Sequence, residues 1–120
     1  MCVFRIRSRK ENEQMAQIKW TEPALNDLNE IADYIALDKP SAAKKLVRDV
    51  FSALKKLKDF PESGKRPLEL VGTNNYREVI VGPCRVFYRV EGKVVFILYV
   101  MRGERELRKF ILSDRSNEIS

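Results

Sequence analysis

Residues 84–101, "CRVFYRVEGKVVFILYVM", decide the fold. "EGK" at 91–93 suits a tight turn, and the flanking runs are rich in valine, isoleucine and aromatic residues, so the stretch reads as a β-hairpin. In the first arm Val86, Tyr88 and Val90 share one face, and Arg85, Phe87 and Arg89 share the other. The second arm, "VVFILYVM", is apolar on both faces. It is therefore expected to be a central strand covered on both sides, by helices on one and by the C-terminal segment or a partner on the other.

Working outward, "YREVIV" (76–81) is a further strand, joined to the hairpin through "VGPC", with Arg77, Val79 and Val81 on one face. "AQIKW" (16–20) alternates and predicts a short first strand. Between the two lie helical patterns. Thr21 is a good N-cap, and Leu25, Leu28, Ile31, Ala32 and Ile35 recur at helical spacing. After "DKP", Asp38 or Ser41 can cap a second helix with the stripe Leu46, Val47, Val50, Leu54 and Leu57. The short connection makes an antiparallel helical hairpin. Residues 21–38 carry five acids and no base, whereas residues 39–60 carry seven bases and two acids, so facing flanks are expected to attract. Residues 61–75 read as loop. "ERELRKFIL" predicts a short amphipathic helix through Leu107, Phe110 and Ile111, and residues 113–120 a frayed tail. Residues 1–14 read as a loose extension, or as an extra edge strand at "CVFRIR". The expected organisation is one domain, 15–112, of α+β class in the order β-α-α-β-β-β, with the hairpin of helices on one face of a mainly antiparallel sheet.

Composition narrows the function. The chain has 120 residues, a net charge of +6, two cysteines and no histidine. Without histidine there is no Ser-His-Asp triad and no histidine metal site, and two cysteines do not complete a zinc site. Neither a P-loop nor a GxGxxG motif is present. No cofactor and no metal is expected. Cys2 and Cys84 give no disulfide framework and suit reduced thiols of a cytosolic protein. There is no apolar run of membrane-spanning length. The positive charge suits nucleic acid or an acidic protein without choosing between them.

Residues 61–112 also carry a positive excess, with ten bases and six acids. The expected arrangement brings Arg77 and Arg85 together on the sheet face away from the helices, with Arg102 and Arg105 at the exit of the last strand. Such a half-apolar, half-cationic groove would take in Val79, Phe87, Arg89, Leu107 and Phe110 and suit an anionic, amphipathic partner. The competing reading pairs these arginines with Glu78, Glu91, Glu104 and Glu106, or lays them along the surface on their own methylene stems.

Two stretches carry a family resemblance: "DKPSAAKKLVRDVFSALKKLKDFPESGKRPLE" and "YREVIVGPCRVFYRVEGKVVFILYVMRG". Over about residues 15–112 they resemble the second helix and the strand core of the RelE/ParE superfamily of bacterial type II toxin–antitoxin toxins. Two positions depart from the pattern: Cys84 stands where a tyrosine commonly precedes the arginine, and Met101-Arg102 replaces a histidine-containing step. The resemblance implies a toxin neutralised by a cognate antitoxin in a hetero-oligomer, and two mechanisms. RelE-like members cleave mRNA on the ribosome with a set of basic residues and a C-terminal tyrosine; ParE-like members poison DNA gyrase. Arg77 and Arg85 match two basic positions of the nuclease groove and Arg102 or Arg105 could match a third, so Arg77, Arg85 and Arg105 are the catalytic candidates. Val79, however, stands where a second lysine is usual, and no tyrosine follows Tyr99. Arginine is a poor proton acceptor, and RNA cleavage needs proton transfer. The ParE-like reading is therefore favoured over the ribosome-dependent nuclease, and over a third reading as a non-toxic basic binding module.

Overall fold

The computed structural model describes residues 16–67, 76–103 and 115–116. The expectations for residues 1–14 and for a helix at 104–112 lie outside them. Strand β1 (Gln17–Trp20) leads into helix α1 (Glu22–Ala36). Helix α2 (Pro40–Lys55) follows and ends in a 3-10 turn (Lys56–Lys58). Strands β2 (Tyr76–Val81), β3 (Cys84–Glu91) and β4 (Val94–Arg102) complete the order. The sheet runs β1-β4-β3-β2. β4 pairs antiparallel with β3 and parallel with β1, and β2 is antiparallel to β3.

Local chemistry explains the helix starts. The Thr21 side chain accepts from the Ala24 N–H, while its own hydroxyl donates to the Ile97 carbonyl at 2.7 Å. One residue thus caps α1 and ties it to β4. The start of α2 differs from expectation. Lys39, with no side-chain cap, is the N-cap, because Pro40 occupies the first helical position, where its fixed φ is already suitable. Asp38 therefore lies too early to cap, and Ser41 lies inside the helix.

The main core lies between the helices and one sheet face. It holds Ala24, Leu28, Ile31, Leu46, Val50, Leu54 and Leu57 from the helical layer against Val81, Cys84, Val86, Tyr88, Val95, Ile97 and Val100. Fully burying each large aliphatic side chain contributes about 1.5–3 kcal/mol, so this layer dominates stability. The first helical stripe is rotated slightly from the sequence reading. Ala24 is buried, whereas Leu25 is exposed.

β4 is central and covered on both faces, as its composition demanded. Its outer face belongs to a second cluster of Phe87, Leu98 and Met101, with Tyr76, Phe96 and Tyr99 packed on it. The strand manages this through a bulge. Phe87 pairs with Tyr99 but Tyr88 pairs with Ile97, leaving Leu98 unmatched. Side-chain parity changes there, so that Val95, Ile97 and Val100 face the helices while Leu98 and Tyr99 both join the outer cluster.

The complementary charges of the two helices do not meet. Among the described residues no ion pair joins α1 to α2. Lys45 pairs within its own helix with Asp49, and Asp27 turns to Arg115. The segment expected to fray is also corrected at two residues. Arg115 is bonded to Asp27, and Ser116 is buried.

Candidate functional site

The strand register sorts the arginines. Arg77 stands opposite Tyr88, and Val79 opposite Val86, on the helix side; Ile80 stands opposite Arg85. The expected juxtaposition of Arg77 with Arg85 is therefore corrected, since one residue of offset between antiparallel neighbours puts them on opposite faces. Arg77 reaches into the 61–67 loop and donates to the carbonyls of Glu62 and Gly64, both at 2.9 Å. Val79 packs on the main core. Neither lines a groove on the outer face.

Arg77 and Tyr88 fix that loop together. The Gly64 N–H donates to the buried Tyr88 hydroxyl at 2.9 Å. Lys65 exchanges two backbone hydrogen bonds with Glu78, so the loop closes against the edge of β2. Burial pushes the Tyr88 phenol above its ordinary 10.0; the hydrogen bond from Gly64 and the Arg77 charge act in the opposite direction, and Glu62 adds to the rise. The unfolded chain therefore loses this proton first, and stability contributed by the neutral phenol falls once the pH rises past about 10. Tyr88→Phe is expected to cost about 1 kcal/mol at neutral pH. It should also flatten the alkaline limb of a stability–pH curve measured by urea unfolding.

On the outer face the arginines form a layer over aromatic rings. The Arg85 guanidinium lies 5.0 Å from the Phe87 ring centroid, Arg89 lies 5.9 Å from Phe96, and Arg115 lies 4.8 Å from Tyr99. Each also holds an acid. Arg85 donates through Nε and Nη2 to Oε2 of Glu78, at 3.2 and 2.6 Å. Glu78 is 3% exposed, and its other oxygen faces Lys65 Nζ at 3.7 Å. Arg89 pairs with Glu91 and donates to Ser116. The pairing of Arg85 and Arg89 with Glu78 and Glu91 was one of the two sequence readings, and it describes this face. Phe87 is fully buried, so it supports the layer from below and presents no contact surface.

Sequence reasoning missed a clasp at the edge of β4. β1 covers that edge only as far as Ile97. Beyond it, Oδ2 of Asp27 accepts from the Val100 N–H at 3.1 Å, and Arg115 donates to the Leu98 carbonyl at 2.9 Å. Asp27 and Arg115 bond each other through two contacts, at 2.5 and 3.3 Å. Two side chains thus take the place of a neighbouring strand. The only signal in the sequence was an aspartate beside the buried Leu28, and its partner lies 88 residues away.

Arg102 sits apart from this layer. Its guanidinium lies 5.0 Å from the ring of Tyr34, which is 60% exposed. An open groove of about 500 Å³ runs here between α1 and the end of β4, and its lining includes Asp27, Glu30, Tyr34, Tyr99, Arg102 and Arg115. It brings two guanidinium groups, two carboxylates and two aromatic rings together at the exit of β4. Arg105, Leu107 and Phe110 lie outside the described residues. Among the described residues, no group of three or more acids and cysteines is arranged to hold a metal ion. No helix among them is long and apolar enough to cross a membrane.

Comparison with known proteins agrees with this architecture. The chain is 35% identical over 92 residues to Toxin RelE2 of Caulobacter vibrioides, covering 76% of this chain and 99% of that one. The chromosomal ParDE toxin–antitoxin system from P. aeruginosa contains a similar structure, with a TM-score of 0.63 and 32% identity over 76% of this chain and 99% of that chain. A mutant of the E. coli toxin RelE, in the free state, shares the fold at 17% identity and a TM-score of 0.58, covering 88% of this chain and 99% of that chain. The family model of the ParE toxin of the type II toxin–antitoxin system parDE matches residues 18–107. That span takes in both helices and all of the sheet except the first residue of β1, and so the chain belongs to the ParE toxin family of type II toxin–antitoxin systems, within the RelE/ParE superfamily.

Proposed function

We propose that the chain is a ParE-like toxin that inhibits DNA gyrase by docking and is neutralised by direct binding of a cognate antitoxin. The observation that supports docking over RNA cleavage is the commitment of Arg85 to the buried carboxylate of Glu78. Two of the five N–H donors of Arg85 are spent on an inaccessible carboxylate, which fixes the guanidinium and leaves Glu78 unable to accept a proton from a ribose hydroxyl. Arg77, the second nuclease candidate, is turned to the helix side and holds two loop carbonyls. A ParDE system stands among the similar structures, which favours the same reading. Purified protein is expected to block supercoiling by gyrase or to trap cleaved DNA. No effect at large molar excess, together with new codon-linked cuts in translated mRNA after induction, would replace this function with the nuclease. Normal growth after verified expression without antitoxin would replace it with a non-toxic module.

The same geometry supports a surface for the antitoxin. The groove beside Tyr34 and Arg102 suits an amphipathic antitoxin segment with acidic flanks. Arg102→Ala is expected to weaken antitoxin binding by about tenfold, measured by calorimetry, with the fold intact. Unchanged affinity would move the interface elsewhere.

A further inference from the structure

The outer face of α2 takes no part in the site above, and it carries a separate electrostatic pattern. Lys44, Lys45, Arg48, Lys55 and Lys56 are all exposed. At 100° per residue they fall within a band about 120° wide, opposite the buried Ala43, Leu46, Val50 and Leu54. From Lys44 to Lys56 the band is about 18 Å long at helical rise. Asp49 is the one acid in α2, and it is bonded to Lys45 at 3.0 Å. Among the described residues Lys44, Arg48, Lys55 and Lys56 form no ion pair. The acids of α1 that could have neutralised them lie on the neighbouring helix and do not reach across.

We propose that this face of α2 is a docking surface for the phosphate backbone of duplex DNA. It goes beyond the gyrase reading and does not require it. Four of the five cations are lysines, flexible point charges that suit a row of phosphates better than the planar bidentate geometry of carboxylates. A protein partner would need an apolar centre, and the band offers only Ser52 among its cations. The acidic α1 of a second copy would meet the same lack. Single-stranded nucleic acid calls for exposed aromatic platforms within the basic track. The nearest ring, Phe51, lies at the margin and packs on Trp20 with centroids 4.9 Å apart. A straight cationic ridge on a rigid helix fits the regular backbone of a double helix, where affinity comes from counterion release.

The test is fluorescence anisotropy of the purified full chain with a labelled 20-base-pair DNA across a salt series. With about four phosphate contacts, affinity is expected to fall roughly a hundredfold between 50 and 200 mM salt. The double variant Arg48→Glu, Lys55→Glu should bind about a hundredfold more weakly and reduce the log–log salt slope by about 2. The control Lys19→Glu, Lys93→Glu, with the same charge change on β1 and in the β3–β4 turn, should lose tenfold less than that. If the charge-reversed helix does not fold, Lys44→Gln with Lys55→Gln carries the test, again with a slope lower by about 2. No binding at 50 mM salt overturns the proposal. So does equal loss in both double variants, because net charge alone would then explain it. Tighter binding to an RNA duplex of the same sequence, or a salt-sensitive dimer in sedimentation that the α2 variant abolishes, reassigns the surface.

Discussion

Glu78→Ala is expected to destabilise the protein by about 3 kcal/mol, the low end of the range for removing one member of a buried ion pair. The reason is what remains. The Arg85 side chain is 14% exposed, and without Glu78 it keeps its charge over the Phe87 ring but loses its carboxylate. Lys65 loses the same partner, although its contact is long and exposed and contributes little. Equilibrium urea unfolding monitored at Trp20 checks the value. Replacing both members, Glu78→Leu with Arg85→Leu, is expected to cost less than Glu78→Ala alone, since no buried charge is then left unpaired. A double variant as unstable as the sum of the two single ones would show that the pair is not a unit.

Gly64→Ala has the second large expected effect, of about 2–3 kcal/mol. The backbone at Gly64 is not left-handed; among the described residues positive φ is confined to Gly82 and Gly92. The cost is spatial. A Cβ at this position would stand 2.4 Å from the Tyr88 hydroxyl oxygen, 2.7 Å from its Cε1 and 2.8 Å from the Glu78 carbonyl oxygen. The tyrosine is fully buried and the carbonyl belongs to β2, so neither can move away cheaply. A fall in melting temperature of roughly 10 °C is expected by calorimetry. Combining the change with Tyr88→Phe removes the closest contact but not the other two. The double variant should lose less than the sum of the single variants while remaining less stable than wild type.

These two positions mark the boundary of what the sequence could show. The central place of β4, the element order and the burial of Leu46, Val50 and Leu54 were legible, because period and composition are local properties. The facing of Arg85, Phe87 and Arg89 was legible within one strand for the same reason. What failed was relation between strands. Setting Arg77 beside Arg85 required the register of β2 on β3, and no local pattern encodes that offset. The bulge at Leu98 was hidden because "VVFILYV" is apolar at every position, so a change of parity leaves no trace. The clasp of Asp27 with Arg115 was hidden by distance along the chain. Pro40 was visible, and its preference for the first helical position outweighed the side-chain cap offered by Asp38.

The parallel pairing of β1 with β4 has a consequence for synthesis. Gln17 meets Val94, a separation of 77 residues, and Thr21 at the head of α1 is anchored to the Ile97 carbonyl. When α1 and α2 emerge from the ribosome, the strand that their apolar faces require has not yet been translated. The helical hairpin can form early, but neither the core nor the sheet can close until β4 is free of the ribosome. Folding competence therefore arrives with β4, the last of the described strands, and not with the helices made before it.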